Sequence, residues 1–249
     1  MKYHDRIHGT VEIKKKVIID LINCKALQRL KGVNQAGYTR PWFNCDFHSR
    51  FEHSVGVFIL LRKFGASLEE QIAGLIHDVS HAVFSHTIDY VLKEGSEERH
   101  DYQDRIFEKF VLERTDIPEI LERHGINVKD VLNYKKFKLL ERELPDLCAD
   151  RIDYALRSAL IFGKATLNDT RRFLESLVII DENWVFKNIE IAKKFSLLFK
   201  QLNDEYWSGF KSALMFYTTS ELLKYALKQG YITVSDLFET DSKILEKIK

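Results

Sequence analysis

The chain has 249 residues, and 38 Lys and Arg against 37 Asp and Glu leave a formal charge of +1, which argues against an extensive nucleic-acid footprint. A 45% hydrophobic and 30% charged composition excludes disordered and fibrous classes, and no apolar run approaches the roughly 18 residues of a membrane helix. MKYHDRIHGT lacks the apolar core of a signal peptide, and Cys24, Cys45 and Cys148 make no disulfide framework, so a reducing cytoplasm is expected.

Only three prolines, Pro41, Pro118 and Pro145, interrupt the chain, so long helices are permitted. Alternation in TVEI predicts a short strand or turn within 9–13. Ile19, Leu21, Ile22, Ala26, Leu27 and Leu30 recur at helical spacing. Residues 32–48 break that period with Gly, Pro and aromatics, as a loop does. Helical patterning resumes over about 50–64 and 68–77, the second with Ser67 as an N-cap ahead of two glutamates. An apolar stripe of Tyr102, Ile106, Phe107 and Phe110 predicts a helix over about 100–112, and Pro145 suits the first turn of another that runs to about 160. LVIIDENWVF at 177–186 reads as a small β-hairpin. Ile189, Ala192, Phe195, Phe199, Leu202 and Tyr206 are helical, with a break near Gly209 and continuation to about 228. DSKILEKIK opens one more helix. The expected fold is mostly α, a single domain with a small β-hairpin.

Polar residues that interrupt apolar helices mark the chemistry. His77 and Asp78 end the apolar run IAGLI and point two good divalent-metal ligands to one place. His53 interrupts a second apolar run in RFEHSVGV. In ADRIDYALRS, Asp150, Asp153, Tyr154 and Arg157 fall at i, i+3, i+4 and i+7 and share a helix face, which suggests a pocket wall. Each residue taken alone reads more simply as a packed histidine or a salt-bridge partner; the combination carries the reading.

RFEHSVGV, LIHDVSHAVFSH and ADRIDY, preceded by DRIHGTVEI and LQRLKGVNQAGY, resemble the HD-domain phosphohydrolases. More specifically, the chain is similar to the deoxynucleoside-triphosphate (dNTP) triphosphohydrolases of the SAM- and HD-domain type. The resemblance covers residues 4–160, as a catalytic core, and weakens in the helical part from 161 to 249. It implies an HD-domain helical fold in which His53, His77, Asp78 and Asp150 ligate one divalent metal ion: Mn, Fe, Ni, Co, Zn or Mg. It further implies that Arg50, Arg151, His81 and His86 contact substrate phosphates and that Tyr154 and Gln35 lie near the sugar. His100-Asp101 matches a His-Glu pair, which makes His100 the proton shuttle, with Asp89 or Asp101 to orient it. The implied partners are a nucleotide substrate, most simply a dNTP, and a second copy in a homodimer.

Three positions depart from that pattern. Ser158 stands where the family carries an Asp that reads the sugar 3′-hydroxyl, Ala36 replaces a Leu under the sugar, and Leu202 replaces a phosphate-binding Arg, with Lys200 nearby as a substitute. Two further readings therefore stay open: a nucleotide monophosphatase or phosphodiesterase on the same fold, and a non-catalytic nucleotide- or nucleic-acid-binding module.

Overall fold

The structure, a computed structural model, describes residues 1–45, 47–96 and 98–249. The predicted N-terminal strand is half of a hairpin: β1 (Lys2–Asp5) runs antiparallel to β2 (Gly9–Glu12). Asp5 holds its turn, accepting hydrogen bonds from the Ile7 and His8 amides at 2.8 and 2.9 Å. The helical pattern of 19–30 divides into α1 (Lys16–Asn23) and α2 (Lys25–Arg29). Cys24 is extended between them, and its Sγ accepts from the Leu27 amide at 3.5 Å.

Residues 33–45 and 47–48 are irregular, and α3 (Arg50–Lys63) follows from a capping box in which Ser49 and Glu52 each accept from the other's backbone N–H. This helix is buried on nearly all sides, so it shows no amphipathic stripe and serves as the central rod of the fold. It packs on α4 (Leu68–Ile76), capped by Ser67 as the sequence predicts. A short 3₁₀ turn at Ser85–Tyr90 leads to α5 (Tyr102–Arg114). Two helices too short for periodicity to reveal, α6 (Ile117–Arg123) and α7 (Lys129–Leu132), precede α8 (Ala149–Ile161).

The start of α8 corrects the expectation built on Pro145. The Ala149 amide donates to the Leu139 carbonyl at 2.8 Å, which pins the chain ahead of the helix, and Cys148 takes the N-cap place with Sγ accepting from the Arg151 amide at 3.4 Å. Pro145 lies in the preceding turn.

Beyond it come α9 (Leu167–Ser176), then β3 (Leu177–Ile180) and β4 (Asn183–Phe186), which form the predicted hairpin. Its two-residue loop puts Asp181 and Glu182 at φ of 48° and 59°, as a tight hairpin turn requires. The chain ends in α10 (Ile189–Leu202), a single wide turn at Asn203–Trp207, α11 (Phe210–Lys228) after the break at Gly209, and α12 (Asp241–Ile248). Among the described residues no helix is long and apolar enough to cross a membrane.

One core runs from the N-terminal hairpin through α3, α4 and α8 to α10. A smaller one joins Ala82, Val83, Phe84 and Ile88 to Leu223, Ala226, Leu237 and Ile244, so the C-terminal helices pack against the segment that follows His77-Asp78. Where α3 packs on α8, a Cβ at Gly56 would overlap the Arg157 guanidinium and the Asp153 carboxylate. Both groups are fully buried and paired, so neither can give way. We expect Gly56→Ala to destabilise the protein by at least about 3 kcal/mol, read as a fall in thermal midpoint of more than about 6 °C or as failure to fold.

Candidate metal centre

Four side chains from three elements meet at the buried end of α4. His53 comes from α3, His77 and Asp78 from the C-cap of α4 and the residue after it, and Asp150 from the first turn of α8. His53 Nε2 lies 2.8 Å from Asp150 Oδ1 and 3.8 Å from Asp78 Oδ2. His77 Nε2 lies 3.4 Å from Asp150 Oδ1 and 3.5 Å from Asp78 Oδ1. Two imidazole nitrogens and two carboxylates thus face one point.

The far nitrogens fix how the rings present themselves. His77 Nδ1 is 2.8 Å from the Gly74 carbonyl, which can only accept, so this nitrogen carries the hydrogen. His77 Nε2 is left buried with no hydrogen-bond partner among the described residues. His53 Nδ1 donates to Asp153 Oδ2 at 2.9 Å. Asp153 is itself held by Arg157, whose Nε reaches Asp153 Oδ2 and whose Nη2 reaches Asp5 Oδ2, both at 2.7 Å. Burial raises the pKa of Asp153, but the Arg157 charge and the His53 and Arg157 hydrogen bonds outweigh it and hold the carboxyl at about 2. For His53, burial disfavours the charged ring, yet Asp150, Asp153 and Asp78 together push it up to about 10. Asp78 lies well below the ordinary carboxylate range: burial opposes this, and Arg50, His77 and His81 prevail.

This donor set fits a divalent cation. It offers two rings whose Nδ1 hydrogens are fixed by outer hydrogen bonds, so that each can turn Nε2 to a cation that displaces any proton held there, and two ionised carboxylates beside them.

A cavity of about 470 Å³ opens beside these residues. It is lined by His77, Asp78 and Asp150, together with the predicted Gln35, Arg50, His81, His86 and Tyr154. Arg50 is buried and well anchored: Nη1 donates to Asp78 at 2.8 Å, Nε to Ser85 Oγ at 2.8 Å and Nη2 to the Gln35 carbonyl at 3.2 Å. His81 Nε2 is 3.2 Å from Asp78, and the His86 ring sits 5.1 Å from His81 and 5.5 Å from His100. Asp89 lies 3.9 Å from His86 Nδ1 and accepts from the Tyr102 amide, and the ligating atoms of His86, Asp89 and His100 lie within 4.8 Å of one another. His100 Nε2 meets the Tyr90 hydroxyl at 3.2 Å.

Other expected residues are placed elsewhere. Arg151 turns from the cavity to the carbonyls of Asp146 and Arg142 and to Cys148 Sγ, because the turn before α8 offers it those acceptors. Ser158 is buried within α8 and is not part of the wall, and Asp101 pairs with Arg105 at 3.3 Å. Asp153 and Arg157 are fully buried behind His53, so the shared face read from ADRIDYALRS is pocket wall only at Asp150 and Tyr154. Lys200 pairs with Asp204 on the surface, whereas Leu202 lies in the core. Sequence reasoning missed the opposite wall, Gln103, Asp104, Tyr134, Lys135 and 141–143, which has no period and no motif to announce it.

The HD domain family model matches residues 50–157, the stretch that carries all four converging side chains. The chain is 36% identical, over its full length and 75% of the relative's, to the uncharacterized protein YdhJ of Bacillus subtilis. It is 34% identical to the metal-dependent phosphohydrolase cns2 of Cordyceps militaris, over 92% of this chain and 67% of that one. A Dictyostelium discoideum homolog of the deoxynucleoside triphosphate triphosphohydrolase SAMHD1 is 30% identical over 78% of this chain and 43% of its own length. Among solved structures, a hypothetical protein from Aquifex aeolicus shares the fold with a TM-score of 0.76, at 21% identity over 99% of this chain and 71% of that one. The chain belongs to the HD-domain family of metal-dependent phosphohydrolases. Its cofactor is a divalent metal ion.

The Asp153 carboxyl gives a pH signature in chelator-treated protein. Its folded value of about 2 lies below the roughly 3.9 of an unfolded chain, so as pH falls the unfolded state takes up the proton first. The stabilisation is complete above about pH 4 and is lost as pH falls towards 2. Urea midpoints of wild type and Asp153→Asn should differ most above pH 4 and converge below it.

Proposed function

We propose that this protein hydrolyses a deoxynucleoside triphosphate at the α-phosphorus, releasing deoxynucleoside and tripolyphosphate. The observation that carries the reading is the convergence of two imidazoles and two carboxylates beside a buried arginine at the mouth of a nucleotide-sized cavity. Its similarity to the Dictyostelium SAMHD1 homolog supports the choice of substrate. A divalent cation held by His53, His77, Asp78 and Asp150 supplies Lewis acidity and activation of water.

The chain's own side chains do the rest. Arg50 places a fixed guanidinium against the phosphate chain, and Asp78 and Ser85 hold it still. His81 and His86 line the path from Arg50 to His100. Oxygen from water bonds to the α-phosphorus as the bond to the 5′ oxygen breaks; that oxygen takes a proton from His100, and the proton released by the water restores it to the imidazole. Tyr154 and Gln35 border the sugar.

³¹P NMR of products from a dNTP and NTP panel with Mn²⁺ tests this. Tripolyphosphate is expected from dNTPs, and His77→Ala with Asp78→Ala should remove bound metal and lower turnover by at least about 1,000-fold. A double variant with full activity would contradict the assignment. A second reading, a monophosphatase or phosphodiesterase, is favoured by Leu202, an apolar core residue at the position where the family's dNTP pocket carries an arginine. Orthophosphate from monophosphates or cleavage of oligonucleotides, without tripolyphosphate, would establish it.

A further inference from the structure

Two backbone segments flank Arg50: one enters the short 3₁₀ turn at Ser85, and the other, at Asn34, is bridged to Ser49. Arg50 Nη2 donates to the carbonyl of Gln35, and Arg50 Nε donates to Ser85 Oγ, which passes a hydrogen bond on to the Asn34 carbonyl at 2.5 Å. Phe84 and Ser85 stand at φ of 54° and 50°, in the left-handed region that side-chain-bearing residues occupy only when their surroundings hold them there.

The hold comes from the far end of the chain. Asp241, the first residue of α12, accepts from the Phe84 amide with Oδ1 at 2.8 Å and from the Asn34 amide with Oδ2 at 2.9 Å. One carboxylate therefore joins the two segments, each oxygen satisfying one amide. Neighbouring contacts reinforce it: the Val83 amide donates to the Leu237 carbonyl at 2.8 Å. Arg29 spans Val79, His81 and Glu239 by donating to all three carbonyls. Thr240 lies so close over Gly32 that a Cβ there would overlap its side chain.

We propose that Asp241 is a positioning residue for the substrate-phosphate subsite: by tying Asn34 to Phe84 it sets the backbone that aims Arg50 and Ser85. The inference rests on Arg50 being the phosphate contact. The competing role is purely local. An acid in the first turn of α12 also favours that helix end, and any acid there would do as well.

Full-length Asp241→Asn and Asp241→Glu variants separate the two roles. Mn²⁺ affinity is measured by EPR, orthophosphate binding to the Mn²⁺-loaded protein by calorimetry, and amide exchange by NMR, with Arg50→Ala as a control. Both variants should keep Mn²⁺ affinity within about twofold, because no candidate ligand is touched. Orthophosphate should bind at least about 10-fold more weakly, and the Asn34 and Phe84 amides should exchange faster while those of α12 stay protected. Asp241→Glu retains the acid of the first turn, so it should melt as wild type does and still lose phosphate affinity. Wild-type phosphate binding and wild-type exchange at Asn34 and Phe84 in Asp241→Glu would overturn the proposal. Should Arg50→Ala bind phosphate as wild type does, the Arg50 reading fails instead, and the exchange rates still decide whether Asp241 holds the two segments.

Discussion

Arg157 is a guanidinium with no exposed surface, and much of the candidate centre is arranged by what that charge demands. A buried cation must be paired, and here it takes two carboxylates, Asp5 from the N-terminal hairpin and Asp153 from its own helix one turn back. Each carboxylate has a second duty. Asp5 closes the β1–β2 turn through two amides, and Asp153 accepts from His53 Nδ1. The buried ion network thus joins the first residues of the chain, the central helix and α8, and ends on a ring whose other nitrogen faces Asp150 and Asp78. Gly56 is the space that admits it.

The site is built in two layers with different mechanical characters. The metal side rests on helices: α3, the end of α4 and the start of α8, all packed in the main core. The Arg50 side starts at the first residue of α3, but the segments it hydrogen-bonds, at Asn34 and Ser85, are tied together by hydrogen bonds from α12 and Arg29. Such a division suits a phosphohydrolase. The cation needs a rigid N/O cage, whereas the substrate wall is where related chains can change what they accept. This chain's wall carries Glu141, Arg142, Lys135 and Asp104, acidic and basic side chains facing a cavity that His77, Asp78 and Asp150 of the candidate centre also line.

Much of this was legible in the sequence. His53 interrupts one apolar run and His77-Asp78 ends another, and periodicity with Ser67 as N-cap places the second of these helices. The face shared by Asp150, Asp153, Tyr154 and Arg157 was legible as a face and not as a destination. Helical spacing orders residues around an axis; which sector meets the core at Gly56 and which meets the cavity depends on α3. Pro145 misled because a favourable first-turn residue cannot start a helix whose preceding chain is pinned to Leu139. The role of Asp241 was beyond sequence reading, since its partners lie 157 and 207 residues away and are backbone amides.

The central claim is that Asp153 and the Gly74 carbonyl hold the hydrogens of His53 and His77 on Nδ1, so that both rings offer Nε2 to one cation. Histidine ¹⁵N NMR of the chelator-treated protein titrated with Zn²⁺ tests it directly. The account predicts that, at one equivalent, the Nε2 signals of both rings shift to metal-bound values while both Nδ1 atoms stay protonated. Coordination through Nδ1 of either ring, or Zn²⁺ binding that leaves either ring unshifted, would contradict it.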